Sequence, residues 1–231
     1  MRSGFCYNGN KLNNLLISTP TADQANSGYF VSSAEFNKAN YCVGFRFRLT
    51  DVTGEQTLIQ SINTVTSGVN FSLTMADDQM SFINATNTVA DMFGISSNVW
   101  YYFYARVTTT GLAVHLYNHS TGSVVNDSYV INAHDPNNSK VFFLNNSAGN
   151  NKIHGTLCDF VFVPEGADEF QSYKSGAYKY KSDQMHCPMR EGSGATCRFL
   201  GRTDLALGSG GLHVAPTWAT VEGTDVGRRW L

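Results

Sequence analysis

Tyr41-Cys42-Val43-Gly44-Phe45-Arg46-Phe47-Arg48-Leu49 is the stretch on which the fold class turns. Every odd position is apolar, while the even positions are mostly small or charged. Successive side chains of a β-strand point to opposite faces. A strand here therefore buries Tyr41, Val43, Phe45, Phe47 and Leu49 and turns Arg46 and Arg48 outward. On a helix the same five apolar residues would spread around the circumference.

Working outward, the two-residue period recurs. Val69, Phe71, Leu73 and Met75 alternate with Asn70, Ser72 and Thr74, and Ala76-Asp77-Asp78-Gln79 then reverses the chain into Met80-Ser81-Phe82-Ile83, which predicts a hairpin. Residues 100–107, Trp-Tyr-Tyr-Phe-Tyr-Ala-Arg-Val, read as a central strand covered on both faces. A second hairpin follows through Thr110-Gly111 into residues 112–117. Residues 141–144 and 156–163 add two more strands. Short strands separated by Asn, Gly and Ser turns predict an all-β antiparallel sandwich. One short helix is expected over 167–175, where Asp168 or Glu169 favours the N-terminus and Gly176 supplies a stop.

The formal net charge of −2 over 231 residues gives no basic field to attract nucleic acid or an anionic membrane. Charged residues make up 15% and aromatics 13%, a balance suited to a sheet protein with polar, uncharged outer faces. The opening Met1-Arg2-Ser3-Gly4-Phe5-Cys6 lacks the apolar run of a signal peptide, and no stretch reaches membrane-spanning length, so a soluble protein made in a cytosol is expected. Of the five cysteines, Cys42 and Cys158 fall in strand-like runs as small core residues. Cys187 and Cys197 either bridge a loop or stay reduced, and the missing export signal favours reduction.

Two regions are expected: a sandwich over residues 1–176 and an extended, Gly-rich docking segment over 177–231. In the latter, Gly208-Ser209-Gly210-Gly211 is a flexible break. Its isolated apolar residues suit a segment laid against the chain's own sandwich or against a neighbouring subunit. Trp218 and Trp230, the latter beside Arg228 and Arg229, are the candidate partner-interface residues, since a buried Trp is a frequent hot spot.

Taken in order, residues 41–47, Gln56-Thr57-Leu58-Ile59, Trp100-Tyr101-Tyr102, residues 112–117 and residues 153–162 resemble a laminin-G-like, concanavalin-like jelly-roll domain. The resemblance covers about residues 25–176. Residues 187–196, with the later Ala215-Pro216-Thr217-Trp218, are similar to a segment that follows such domains in bacteriophage structural proteins. The resemblance implies a virion-located fibre, decoration or appendage protein, a homo-oligomer that contacts other virion proteins and host glycans. A carbohydrate-binding lectin module is the alternative.

The residues point away from catalysis. Glycosidases need two carboxylates flanking the scissile bond, and the related strand-borne Glu-x-Asp-x-x-Glu pattern is missing. Glu165, Asp168 and Glu169 read as acids at a helix N-terminus. Asp77 and Asp78 read as turn residues, with calcium ligation the lesser alternative. No other cofactor is expected. The six histidines, His115, His119, His134, His154, His186 and His213, show no metal-ligand spacing. Asn-x-Ser/Thr triplets begin at Asn70, Asn84, Asn118, Asn126, Asn137 and Asn145 and read as Asn-rich turns.

Overall fold

The structure is a computed structural model. It describes residues 11–18, 29–32, 40–84, 87–131, 139–143, 151, 153–164, 170, 185–187, 196–198, 204–208 and 217–222. In chain order these form β1 (Lys11–Ser18), β2 (Tyr29–Ser32), β3 (Tyr41–Leu49), β4 (Gln56–Asn63), β5 (Val69–Ala76), β6 (Gln79–Asn84), β7 (Asn87–Gly94) and β8 (Trp100–Val107). There follow β9 (Gly111–Asn118), β10 (Val124–Val130), β11 (Ser139–Phe143), β12 (Gly155–Pro164), β13 (Met185–Cys187), β14 (Thr196–Arg198), β15 (Asp204–Gly208) and β16 (Thr217–Glu222).

The strands make two antiparallel sheets. Sheet I runs β10-β9-β8-β3-β12-β1-β16, with β13 also paired to β12; sheet II runs β14-β15-β2-β11-β4-β5-β6-β7. The alternating stretch is β3, at the middle of sheet I between β8 and β12. Tyr41, Val43, Phe45, Phe47 and Leu49 are all buried in the core, as their period requires. Facing them from sheet II are Leu58, Phe71, Leu73, Met75, Met80 and Phe82. Tyr41 ties the layers together: its ring lies 5.1 Å from Phe162 in its own sheet and 5.5 Å from Phe71 in the other. Offset ring pairs of this kind contribute about 0.5–1.5 kcal/mol beyond the area they bury.

Both expected hairpins form. Asp77 and Asp78 join β5 to β6 with φ of 47° and 66°, the left-handed pair of a two-residue turn that matches sheet twist. β8 is covered on both faces, and only Arg106 along it is exposed. On the face away from the sandwich interior, Tyr102, Tyr104, Tyr117, Cys42, Val161 and Val163 pack together with Phe170. This second layer corrects the outward reading of Arg46 and Arg48. Both stand on the outer face, yet Arg46 is only 5% exposed and Arg48 half-buried. Their guanidinium carbons lie 4.7 Å from the Tyr102 ring centre and 5.5 Å from that of Trp100. A weakly hydrated guanidinium accepts burial when an aromatic face receives it.

Phe170 has helical backbone; the rest of the helix expected at 167–175 lies outside the described residues. From the segment after residue 177, β13 pairs with β12, β14 with β15, β15 with β2, and β16 with β1. Its described backbone therefore lies on the chain's own sandwich, in both sheets.

Gly155 opens β12 opposite Leu49, where a Cβ would meet the Arg48 carbonyl oxygen and stand 2.7 Å from the Leu49 Cα. Neither obstacle is a movable side-chain end. Gly155→Ala should therefore cost about 1–3 kcal/mol, the usual range for overpacking. Urea unfolding should show it as a lowered midpoint at unchanged slope.

Candidate functional site

Three places gather the polar groups and the residues named from sequence: one end of the sandwich, the outer face of sheet I, and the C-terminal strands. At the first, the β3–β4 loop, the β5–β6 turn and the approach to β12 converge on Gln56, which is fully buried. A buried amide requires partners for both its ends. The Gln56 Nε2 donates to the Asp51 and Thr53 carbonyl oxygens at 3.0 and 3.2 Å, and its Oε1 accepts from the His154 N–H at 2.8 Å. The Asn151 Nδ2 donates to Glu55 Oε1 at 2.6 Å, and the Thr50 N–H donates to the His154 carbonyl at 2.7 Å.

Asp51 accepts from the Thr53 N–H at 2.9 Å and from the Thr53 hydroxyl at 2.8 Å, and His154 Nδ1 lies 3.4 Å from its other oxygen. These donors, the Thr53 backbone first, hold the Asp51 carboxyl below the usual carboxylate range. Asp77 and Asp78 sit beside this network and serve it locally. Asp77 Oδ1 accepts from the Gly54 N–H at 3.3 Å, the Asp78 N–H donates to the Val52 carbonyl, and Asp78 Oδ1 accepts from Gln79 Nε2. Among the described residues no group of three or more His, Cys, Asp or Glu is placed to hold a metal ion.

On the outer face of sheet I the strand register builds rows of side chains. One row is Gly44–Tyr104–His115–Asn126, with Phe170 stacked on His115 at 4.4 Å and 7°. His115 Nδ1 lies 2.6 Å from Asn126 Oδ1. The next row toward the β8–β9 turn is Arg106–Ala113–Ser128, and here the large rings stop. A depression of about 200 Å³ opens at this point, lined by Arg106, Thr108, Gly111, Leu112, Ala113, Ser128 and Tyr129. Sequence reading missed it. Its only signal was the replacement of bulky residues by Gly111, Ala113 and Ser128 at face-matched positions, which requires knowing the register of three strands.

Of the partner-interface residues named from sequence, Trp218 lies in β16 with its backbone opposite Leu16. Its side chain, and Arg228, Arg229 and Trp230, lie outside the described residues. So do Glu165, Asp168, Glu169, His134, His213 and the side chains of His186, Cys187 and Cys197. Cys187 belongs to β13 in sheet I and Cys197 to β14 in sheet II. Asn70, the first of the Asn-x-Ser/Thr positions, is buried.

No protein-family model matches the chain. No curated protein matches it in sequence either. Solved structures do match in fold. A candidate carbohydrate-binding protein from Bacteroides ovatus superposes with a TM-score of 0.58 at 11% identity, over 87% of this chain and 60% of that one. The LG1–3 region of the laminin α2 chain gives 0.50 at 14% identity, over 65% and 31%. Tailspike protein 2 of an Escherichia coli O157:H7 bacteriophage gives 0.52 at 15% identity, over 70% and 26%. The enzymatically active domain of that tailspike also matches, at 0.50. The chain thus spans about a quarter to three fifths of the length of these neighbours. At such identities the likeness establishes the fold: a concanavalin-like jelly roll of the laminin-G kind.

The depressed Asp51 carboxyl gives the Gln56 end a pH signature. Because folding favours ionised Asp51, its contribution is fully present above the usual carboxylate range and is lost as pH falls through the lower folded value. Asp51→Asn should therefore be less stable than the parent at neutral pH, and the two should converge in strong acid. Urea midpoints across that range check it.

Proposed function

We propose that this chain is a non-catalytic recognition module of a virion structural protein, a fibre, decoration or appendage component whose sandwich binds host glycans. The single observation that carries the reading is the open depression over Gly111 and Ala113, flanked by the exposed Arg106 and by Ser128. Sites for small ligands are concave, with a few polar groups arranged over a pre-formed scaffold, and here three hydrogen-bonded strands supply the scaffold. The reading draws further support from neighbours described as carbohydrate-binding and as a phage tailspike, although fold alone does not carry function.

In this reading the C-terminal residues Trp218, Arg228, Arg229 and Trp230 contact other virion proteins or a second copy of the chain. The chain serves as a rigid platform, with recognition at one sheet margin and assembly through the tail.

A glycan array probed with the full chain, with and without calcium, should show a restricted set of bound glycans, and Ala113→Leu, which fills the depression, should abolish binding without lowering the thermal midpoint. No binding to any glycan at millimolar concentration would overturn the reading. Replacing Arg228, Arg229 and Trp230 together by Ala should leave glycan binding intact while reducing incorporation into particles. Normal incorporation would remove the tail from the assembly role.

A further inference from the structure

We infer that the depression beside Arg106 is a subsite for the carboxylate of an acidic sugar, a uronate or a sialate-type residue. This rests on the glycan-binding reading above and names its ligand class. Arg106, Ala113 and Ser128 are cross-strand neighbours on β8, β9 and β10. With strands about 4.8 Å apart, Arg106 and Ser128 stand roughly 10 Å from each other across the sheet. Between them the floor is one methyl group, Ala113, and next to it Gly111, which has no side chain. The space of about 200 Å³ lies below the roughly 300–1,000 Å³ typical of sites for drug-sized ligands, so it suits a single ring.

Arg106 differs from the other two arginines of this sheet. Arg46 and Arg48 are committed to the Tyr102 and Trp100 rings. Arg106 is exposed and has no carboxylate, hydrogen-bond or ring partner among the described residues. Its planar fork of donors matches the two oxygens of a carboxylate, and a charge-assisted pair is the strong form of such a bond. Ser128 offers across the depression a hydroxyl with no partner among the described residues. The Thr108 hydroxyl donates to the Gly111 carbonyl at 3.1 Å and keeps its lone pairs to accept from a sugar hydroxyl. Single-cation capture by one fork fits a singly charged, planar anion. Phosphate groups usually meet several cations or a row of backbone N–H groups.

The rim is already organised. The Thr108 N–H donates to the Gly111 carbonyl at 2.8 Å, and the Thr109 N–H donates to Asn40 Oδ1 at 3.2 Å. Asp127, the near negative charge among the described residues, sits by strand alternation on the opposite face of β10. Its two oxygens accept from the Ser128 N–H at 2.7 Å and from the Tyr129 hydroxyl at 2.8 Å. Burial first, then Asp127, push the Tyr129 hydroxyl up to about 12, so it remains a donor to that carboxylate at neutral pH.

Titration of the full chain by NMR tests this, with galacturonate, glucuronate and N-acetylneuraminate as probes. Galactose, glucose, acetate, inorganic phosphate and an acidic peptide serve as comparators. At least one acidic sugar should bind in about the millimolar range and roughly tenfold or more tighter than the neutral sugars. High salt and Arg106→Ala should each close that gap, while Arg106→Lys, which keeps charge and loses the fork, should retain part of it. Equal binding of neutral and acidic sugars would overturn the ligand class and leave the glycan reading standing. Binding of acetate, phosphate or the peptide as tight as that of the sugar acids would overturn it likewise. If no sugar binds, both readings fall.

Discussion

The central strands of sheet I must fill space on both sides. β3 and β8 send Tyr41, Phe45, Phe47, Tyr101 and Phe103 into the sandwich, and they send Cys42, Tyr102 and Tyr104 to the outer face, where Phe170 joins them. An antiparallel sheet commonly leaves one face to water. Here the outer face is closed over its middle by stacked rings, among them Tyr102 on Tyr117 at 5.3 Å and Phe170 on His115. Among the described residues the large side chains give out at the margin formed by β9 and β10, and the depression opens there. The position of the depression follows from the same packing that stabilises the fold.

The two ends of the matter, fold and chemistry, stand on different footings. The jelly roll is shared with quite different proteins, from a laminin chain to a phage tailspike with an enzymatically active domain. Such breadth is expected of a scaffold whose sheets are rigid and whose margins vary. The candidate site of this chain is local: a guanidinium, Arg106, with no partner among the described residues, next to Gly111 and Ala113. The Gln56 network at one end of the sandwich is of the opposite kind. Its amide bonds and the Thr53–Asp51 contacts satisfy one another within the chain, which makes it a structural clasp.

Much of the fold was legible from the two-residue period. The buried face of β3, both hairpins and the two-sided burial of β8 all follow from side-chain alternation and turn chemistry. Arg46 was misread because polarity along a single strand says which face a residue takes, not whether that face is covered; the aromatic partner comes from β8, more than fifty residues later. Gly155 was unremarked for a similar reason. Its constraint is the backbone of β3, visible only once β12 is in register with it. The site was the least legible. Arg106, Ala113 and Ser128 are unremarkable in sequence and become a set only through the register of three strands.

The pairing of β1 with β16 has a mechanical corollary. Lys11, at the start of one strand, lies opposite Glu222, at the end of the other. Tension applied through these two points loads the strand pair like a zipper, opening it one bond at a time from that corner. The β3–β8–β12 centre of the sheet is spared that load. A sandwich whose outermost described strands enter and leave side by side can also be carried as a pendant bead on a longer scaffold, projecting sideways from it with little disturbance to the host chain's path.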